Sequence, residues 1–188
     1  MKFIIKFFFL FFIAETISVT AQIIQLGFRA ESTVSKTTLN EERISPPNLF
    51  VTAGLKEGKL IFLKDLIAEI RFGKSFDPEY LSGYDVALFL KSHVITNSLY
   101  VACGINLHYN TGTDHNSSSV YVKEISLIDV GVGVNLPDNV FLELSRSFAV
   151  SNSTLGENDY HDLNGNLKRN IYNLGYLYKI SIGLLFNL

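Results

Sequence analysis

The sequence predicts an all-β chain: an eight-stranded antiparallel up-and-down barrel that crosses a membrane with its strands. Three observations carry this. In the last seventeen residues, Tyr172, Leu174, Tyr176, Tyr178, Ile180, Ile182, Leu184, Phe186 and Leu188 fall on one face. Asn173, Gly175, Leu177, Lys179, Ser181, Gly183, Leu185 and Asn187 fall on the other. A period of two is a strand whose side chains alternate between faces, and an apolar face backed by a mostly polar one suits a wall between lipid and a polar interior. Second, seven further runs with the same period precede this one. Third, long and short connections alternate along the chain, as they do in barrels with short turns at one rim and long loops at the other.

The chain opens with Lys2 and Lys6, an apolar run from Phe7 to Ala14, and the small residues Val19-Thr20-Ala21. That layout predicts a secretory signal peptide over 1–21, cleaved after Ala21, and a barrel domain over 22–188. The apolar run is too short for a membrane-spanning helix, which needs about 20 such residues. The strands expected after it cover about Ile23–Val34, Leu49–Leu55, Leu63–Gly73, Gly83–His93, Leu99–Tyr109, Tyr121–Leu136, Asn139–Val150 and Tyr172–Leu188. Loops of 35–48, 74–82, 110–120 and 151–169 alternate with short turns near Glu57-Gly58-Lys59, Ile95–Ser98 and Pro137-Asp138-Asn139. This places both termini at the short-turn rim, the periplasmic one, and sends four loops outward.

Composition removes several classes. The formal charge is −2, and loss of Lys2, Lys6 and Glu15 with the leader makes it −3. With no basic run, nucleic acid is not an expected partner. The single cysteine, Cys103, excludes an intrachain disulfide, so stability must come from elsewhere, and a closed barrel supplies it. Cys103 itself is expected to face lipid as a small apolar filler. Alternation alone also fits a secreted sandwich or a lipocalin-like barrel. Glycine on the polar face (Gly27, Gly54, Gly104, Gly131, Gly133, Gly175 and Gly183) favours a crowded narrow lumen over a solvated surface.

The inward positions carry Arg29, Arg71, Lys91 and Lys179 against Glu31, Glu69, Asp85, Asp129 and Glu143. An eight-stranded barrel is just wide enough for side chains to fill, so these nine are expected to pair across it as a structural plug. A gated path for protons or very small solutes is the alternative use of the same charges. Arg146 shares parity with Val140, Leu142 and Leu144. Either a β-bulge near 144–147 shifts the register, or Arg146 sits at headgroup level and meets lipid phosphate.

The closing residues Ser181, Gly183, Phe186 and Leu188 resemble the C-terminal β-signal read by the barrel-assembly machinery of Gram-negative bacteria. The pattern usually ends on an aromatic residue, and here it ends on leucine. With the eight-strand layout, the chain is similar to the small outer-membrane β-barrel families typified by OmpX and the OmpA membrane domain, and in composition to the barrel proteins of Bacteroidota-type bacteria. The resemblance implies a monomer in the outer membrane whose partners are outer-membrane lipid, lipopolysaccharide and the assembly machinery. It implies little about activity.

Catalytic, cofactor and metal sites are not expected. A lipid A- or phospholipid-modifying barrel is the competing class, and it needs a Ser or His nucleophile–base pair near the outer leaflet. Among the histidines, His93 lies near a periplasmic turn, and His115 and His161 lie in loops. Only His108 points inward near the outer end, with Asn106 two residues away on the same face. Asp159–Gly165 superficially suggests a calcium loop, but with its glycine at position six the EF-hand register puts Tyr160 and Ile171 where carboxylates are needed. Asn116-Ser117-Ser118 matches a glycosylation sequon and is read as flexible loop. The preferred function is therefore a non-enzymatic surface protein, structural or engaging external partners through its outward loops.

Overall fold

A computed structural model describes residues 23–37, 42–56, 64–76, 81–94, 98–111, 119–150 and 154–188. The expected leader, His115 and the sequon lie outside the described residues. In chain order the strands are β1 (Ile23–Thr37), β2 (Glu42–Ile44), β3 (Asn48–Lys56), β4 (Lys64–Phe76) and β5 (Ser82–His93). They continue as β6 (Leu99–Asn110), β7 (Ser119–Tyr121), β8 (Glu124–Asn135), β9 (Val140–Ala149), β10 (Thr154–His161) and β11 (Leu167–Asn187).

Eight of these form the wall. Strands β1, β3, β4, β5, β6, β8, β9 and β11 pair antiparallel in that order, and β11 pairs back onto β1. Partner residues can be followed once around, from Ile24 to Leu55, Ala68, Leu90, Cys103, Val130, Arg146 and Tyr178. The next partner is Val34, ten residues further along β1. Eight strands with that stagger tilt by about 40° from the barrel axis. Both Ile23 and Asn187 lie at one end, called the near end; the opposite rim, at Thr37, is the far end.

Polarity is inverted relative to a water-soluble barrel. Phe28, Leu49 and Ile180 are 63%, 61% and 58% exposed, whereas Arg29, Glu69 and Asp129 are 2%, 1% and 1% exposed. Soluble proteins keep contiguous apolar patches small and almost never bury this many charges. An apolar exterior around a charged interior belongs to a barrel embedded in a membrane.

The near-end turn between β8 and β9 is set by two residues. Asp138 and Asn139 have φ of 61° and 62°, which is the type I′ geometry that matches strand twist and that Asp and Asn tolerate best after glycine. Inside, bulky rings lie on glycines of the adjacent strand. A Cβ at Gly73, Gly104, Gly133 or Gly183 would strike the ring of Phe50, Phe89, Tyr100 or Phe141.

The far end departs most from expectation. Strand β4 continues through Lys74–Phe76, so the β4–β5 connection (77–81) is shorter than the β3–β4 one (57–63), and strict alternation of loop lengths fails there. The stretch Ser151–Arg169 is mostly a hairpin of β10 and β11, and β7 pairs with β10, so a small sheet extends beyond the wall. The closing strand therefore begins at Leu167 and not at Tyr172. Its alternation also breaks. Lys36 faces Tyr176 and Thr37 faces Leu174, leaving Gly175 as an extra, bulged residue. That bulge turns Leu174 inward to 8% exposure, although strict parity places it toward lipid. A second irregularity at Leu155 buries that side chain as well. Leu66, beside an irregularity between Lys64 and Ile67, is buried where parity places it outward.

Candidate functional site: the filled lumen and the far rim

Nine charged side chains enter the lumen from six strands, all of them buried: Arg29 and Glu31 on β1, Glu69 and Arg71 on β4, Asp85 and Lys91 on β5, Asp129 on β8, Glu143 on β9 and Lys179 on β11. They sort into two layers.

The central layer is cationic, with Arg29, Arg71 and Lys91 around Glu69 and Glu143. Glu143 is the node. Arg29 Nη2 lies 2.7 Å from its Oε1 and Arg71 Nη1 3.0 Å from the same oxygen. Arg71 Nη2 donates to Oε2 at 3.1 Å, the Tyr100 hydroxyl donates there at 3.0 Å, and Lys91 Nζ lies 3.7 Å away. The Arg29 contact is ionic, because its N–H groups do not align for a hydrogen bond. Glu69 takes Arg71 Nε at 2.5 Å and Lys91 Nζ at 2.6 Å. The cations also lie on rings: the Arg71 guanidinium is 3.4 Å from the Phe89 centroid, Arg29 5.1 Å from Phe141, and Lys91 5.1 Å from Tyr100. Each ring faces a cation with its negative quadrupole face. The glycines under those rings let the cage lie flat against the wall.

The second layer, toward the far end, is anionic, with Glu31, Asp85 and Asp129 around Lys179. Lys179 Nζ donates to Asp129 Oδ2 at 2.7 Å, and Ser181 Oγ donates to Glu31 Oε2 at 3.1 Å. Asp85 is held by side chains of β4 and β6. Asn106 Nδ2 donates to its Oδ1 at 3.1 Å, Ser75 Oγ donates to Oδ2, and His108 Nδ1 lies 3.2 Å from Oδ1. Asp85 and His108 are cross-strand partners 23 residues apart, so no local spacing in the sequence announces their contact. The shared inward parity of β5 and β6 was the available signal. A cavity of about 20 Å³ among Glu31, Ser75, Asp85, His108 and Lys179 has room for a single water molecule.

Above this layer Leu81, Ile125, Leu127, Leu155, Leu174 and Leu177 form an apolar lid. The bulges at Gly175 and Leu155 supply two of its members, so the irregularities that break the alternation also build this cluster. Below the central layer a wider space of about 170 Å³ opens toward the near end past His93, Asn135 and Asn187.

The four residues of the closing pattern sit differently. Ser181 is buried against Glu31, and Gly183 lies under Phe141. Phe186 and Leu188 point outward, 42% and 74% exposed. Cys103 is exposed on the outer face of β6. Arg146 remains in register, between Val130 and Tyr178, so no bulge at 144–147 diverts it. Its guanidinium lies on the outside, 4.8 Å from the Phe148 centroid and 5.4 Å from that of Tyr178.

At the hairpin tip, Asp162 Oδ1 accepts the backbone N–H groups of Asn164 and Asn166, both at 2.9 Å. Those bonds hold its carboxyl below the ordinary aspartate value of 3.8. Gly165, with φ of 80°, completes the turn. Arg169 pairs with Asp159 at 2.8 Å and Glu157 at 3.0 Å across the hairpin. Among the described residues no cluster of His, Cys, Asp and Glu has the geometry to hold a metal ion.

No protein-family model and no curated protein matches the chain. Among solved structures it is similar to the Neisserial surface protein A, at 13% identity with a TM-score of 0.43, over 90% of this chain and 100% of that one. It is also similar to a de novo designed transmembrane β-barrel, at 12% identity with a TM-score of 0.37, over 86% and 95%. The closed barrel is established by the strand register and does not rest on these likenesses.

Proposed function

We propose that the protein is a monomeric, non-conducting and non-enzymatic outer-membrane barrel whose role is carried by what it displays at its far rim. In this reading both termini are periplasmic, residues 1–21 are a cleaved leader, and the Ser181–Leu188 pattern is read by the barrel-assembly machinery. The observation that carries the proposal is the closed lumen. A central ion cage and an apolar lid lie in series, which leaves the exterior and the β7–β10–β11 extension as the surfaces open to partners. Replacing residues 156–171 with a short turn is expected to leave a folded, heat-modifiable barrel that has lost cell-surface binding or adhesion. Unchanged binding and adhesion would count against the reading.

The Asp85–His108 contact favours a second reading, a lipid-modifying enzyme, since a carboxylate on Nδ1 orients a histidine as a general base. Against it, the pair is buried beneath Leu127 and Leu177, and the Nε2 side that would serve a nucleophile has no protein partner. Hydrolysis or acyl transfer on lipid A or phospholipid by purified protein, lost in His108→Ala, would establish the enzyme and displace the first reading.

A further inference from the structure

The outward rows of the wall carry few charges, and those charges are not spread evenly. Among the described residues the outward-facing cations are Lys36 on β1, Lys74 on β4 and Arg146 on β9. Each lies within three residues of the far end of its strand. Among the wall residues whose side chains are described, the near half of the exterior carries no outward charge. Every one of the three sits against aromatic rings: Lys36 on Tyr176, Lys74 on Phe76 and Tyr84, and Arg146 on Phe148 and Tyr178. Lys36 already has Glu42 at 3.9 Å, and the Tyr176 hydroxyl donates to that carboxylate at 2.6 Å. Neither Arg146 nor Lys74 has a carboxylate partner among the described residues.

A cation on a lipid-facing surface costs most at the bilayer midplane and little near the headgroups. The tyrosines around these cations are the residues that gather at that interface. An unpaired guanidinium there offers a planar fork of donors that fits phosphate oxygens in a bidentate manner. Phospholipid phosphates line both leaflets, yet among the described side chains the outward cations gather at the far end alone. The cations therefore match an anion peculiar to the far leaflet.

We infer that Arg146, framed by Phe148 and Tyr178, is a binding site for a phosphate of a phosphorylated glycolipid of the lipid A class in the outer leaflet. Lys74 is a second, independent contact on the opposite side of the barrel. This rests on the far end facing outward, so orientation needs its own test: a Leu163→Cys hairpin labelled from outside intact cells.

Binding is read by native mass spectrometry of the full mature barrel in detergent. The probes are bis-phosphorylated lipid A, the same lipid with its phosphates removed, and phosphatidylglycerol. Wild type is expected to retain the bis-phosphorylated lipid, to lose it when the phosphates are removed, and to resist displacement by phosphatidylglycerol. Arg146→Gln is expected to lower retention about tenfold, and Arg146→Lys to restore part of it. Equal retention by Arg146→Gln overturns the site, and displacement by phosphatidylglycerol overturns the lipid class. Heat-modifiable migration checks the fold of each variant. Should Arg146→Gln fail to fold, the three probes on wild type and Arg146→Lys still decide.

Discussion

At the scale of single residues, Glu143 holds the most contacts in the lumen. It is the shared anion of Arg29, Arg71 and Lys91, and it accepts the Tyr100 hydroxyl. Removing one partner of a buried pair leaves charge without compensation, at a typical cost of about 3–5 kcal/mol. Glu143→Ala is therefore expected to lose about that much stability in urea unfolding from lipid vesicles. Glu143→Gln should lose less, because an amide oxygen still accepts hydrogen bonds. A loss below 1 kcal/mol in the alanine variant would show that water or Glu69 substitutes for the node. Gly183 makes a second test. A Cβ there meets the Phe141 ring and the Phe28 carbonyl oxygen, and overpacking of this kind costs about 1–3 kcal/mol. Gly183→Ala is expected to unfold at lower urea. If assembly in cells reads the glycine itself, the variant should also insert poorly, a separate observable. The inward placement of all nine charges was legible, because parity depends only on counting by two. Their division into a cationic centre and an anionic far layer was not. Height along a tilted strand depends on shear, and shear is a property of the closed barrel.

At the scale of elements, the informative failures are local. The closing strand reads as one unbroken alternation, and that pattern cannot reveal a bulge whose two flanks are both apolar. Tyr172, Leu174 and Tyr176 satisfy an outward row, yet Leu174 is buried in the lid. Gly175 was the signal available, since glycine inside a strand often marks a bulge. Polar residues dominate 151–169 and predict a loop, but Glu157, Asp159 and Arg169 are cross-strand partners. Exposed hairpins alternate without an apolar row to advertise it. The turn of this hairpin should respond to acid. With its folded pKa below the unfolded value, the anionic Asp162 contributes stability to the turn above pH about 4, and that contribution is lost as pH falls through the lower folded pKa. The Asn164 and Asn166 amide resonances are thus expected to titrate together below pH 3.8, and Asp162→Asn should abolish the transition. A midpoint at or above 3.8 would mean that the turn does not hold the carboxylate.

At the scale of the whole molecule, the question is what crosses the barrel. Two barriers of different physics lie in series. The lid is expected to exclude ions, because its six apolar side chains offer nothing to replace an ion's hydration. The central cage obstructs by filling the cross-section with paired groups and rings. If each suffices alone, single lesions should be silent. Wild type is expected to show no steady single-channel current in planar bilayers, and Leu155→Ser with Leu174→Ser should show none either. The Glu143→Ala change by itself should also be silent, since the lid remains. Only the triple variant, with the lid made polar and the node removed, is expected to pass small ions at a measurable rate. With Arg29, Arg71 and Lys91 then facing only Glu69 in the central layer, that current should favour anions. Steady current through the wild type would overturn the plug. Current through the lid variant alone would show that the ion cage is a selectivity ring and not a barrier, and would revive the narrow channel as the function.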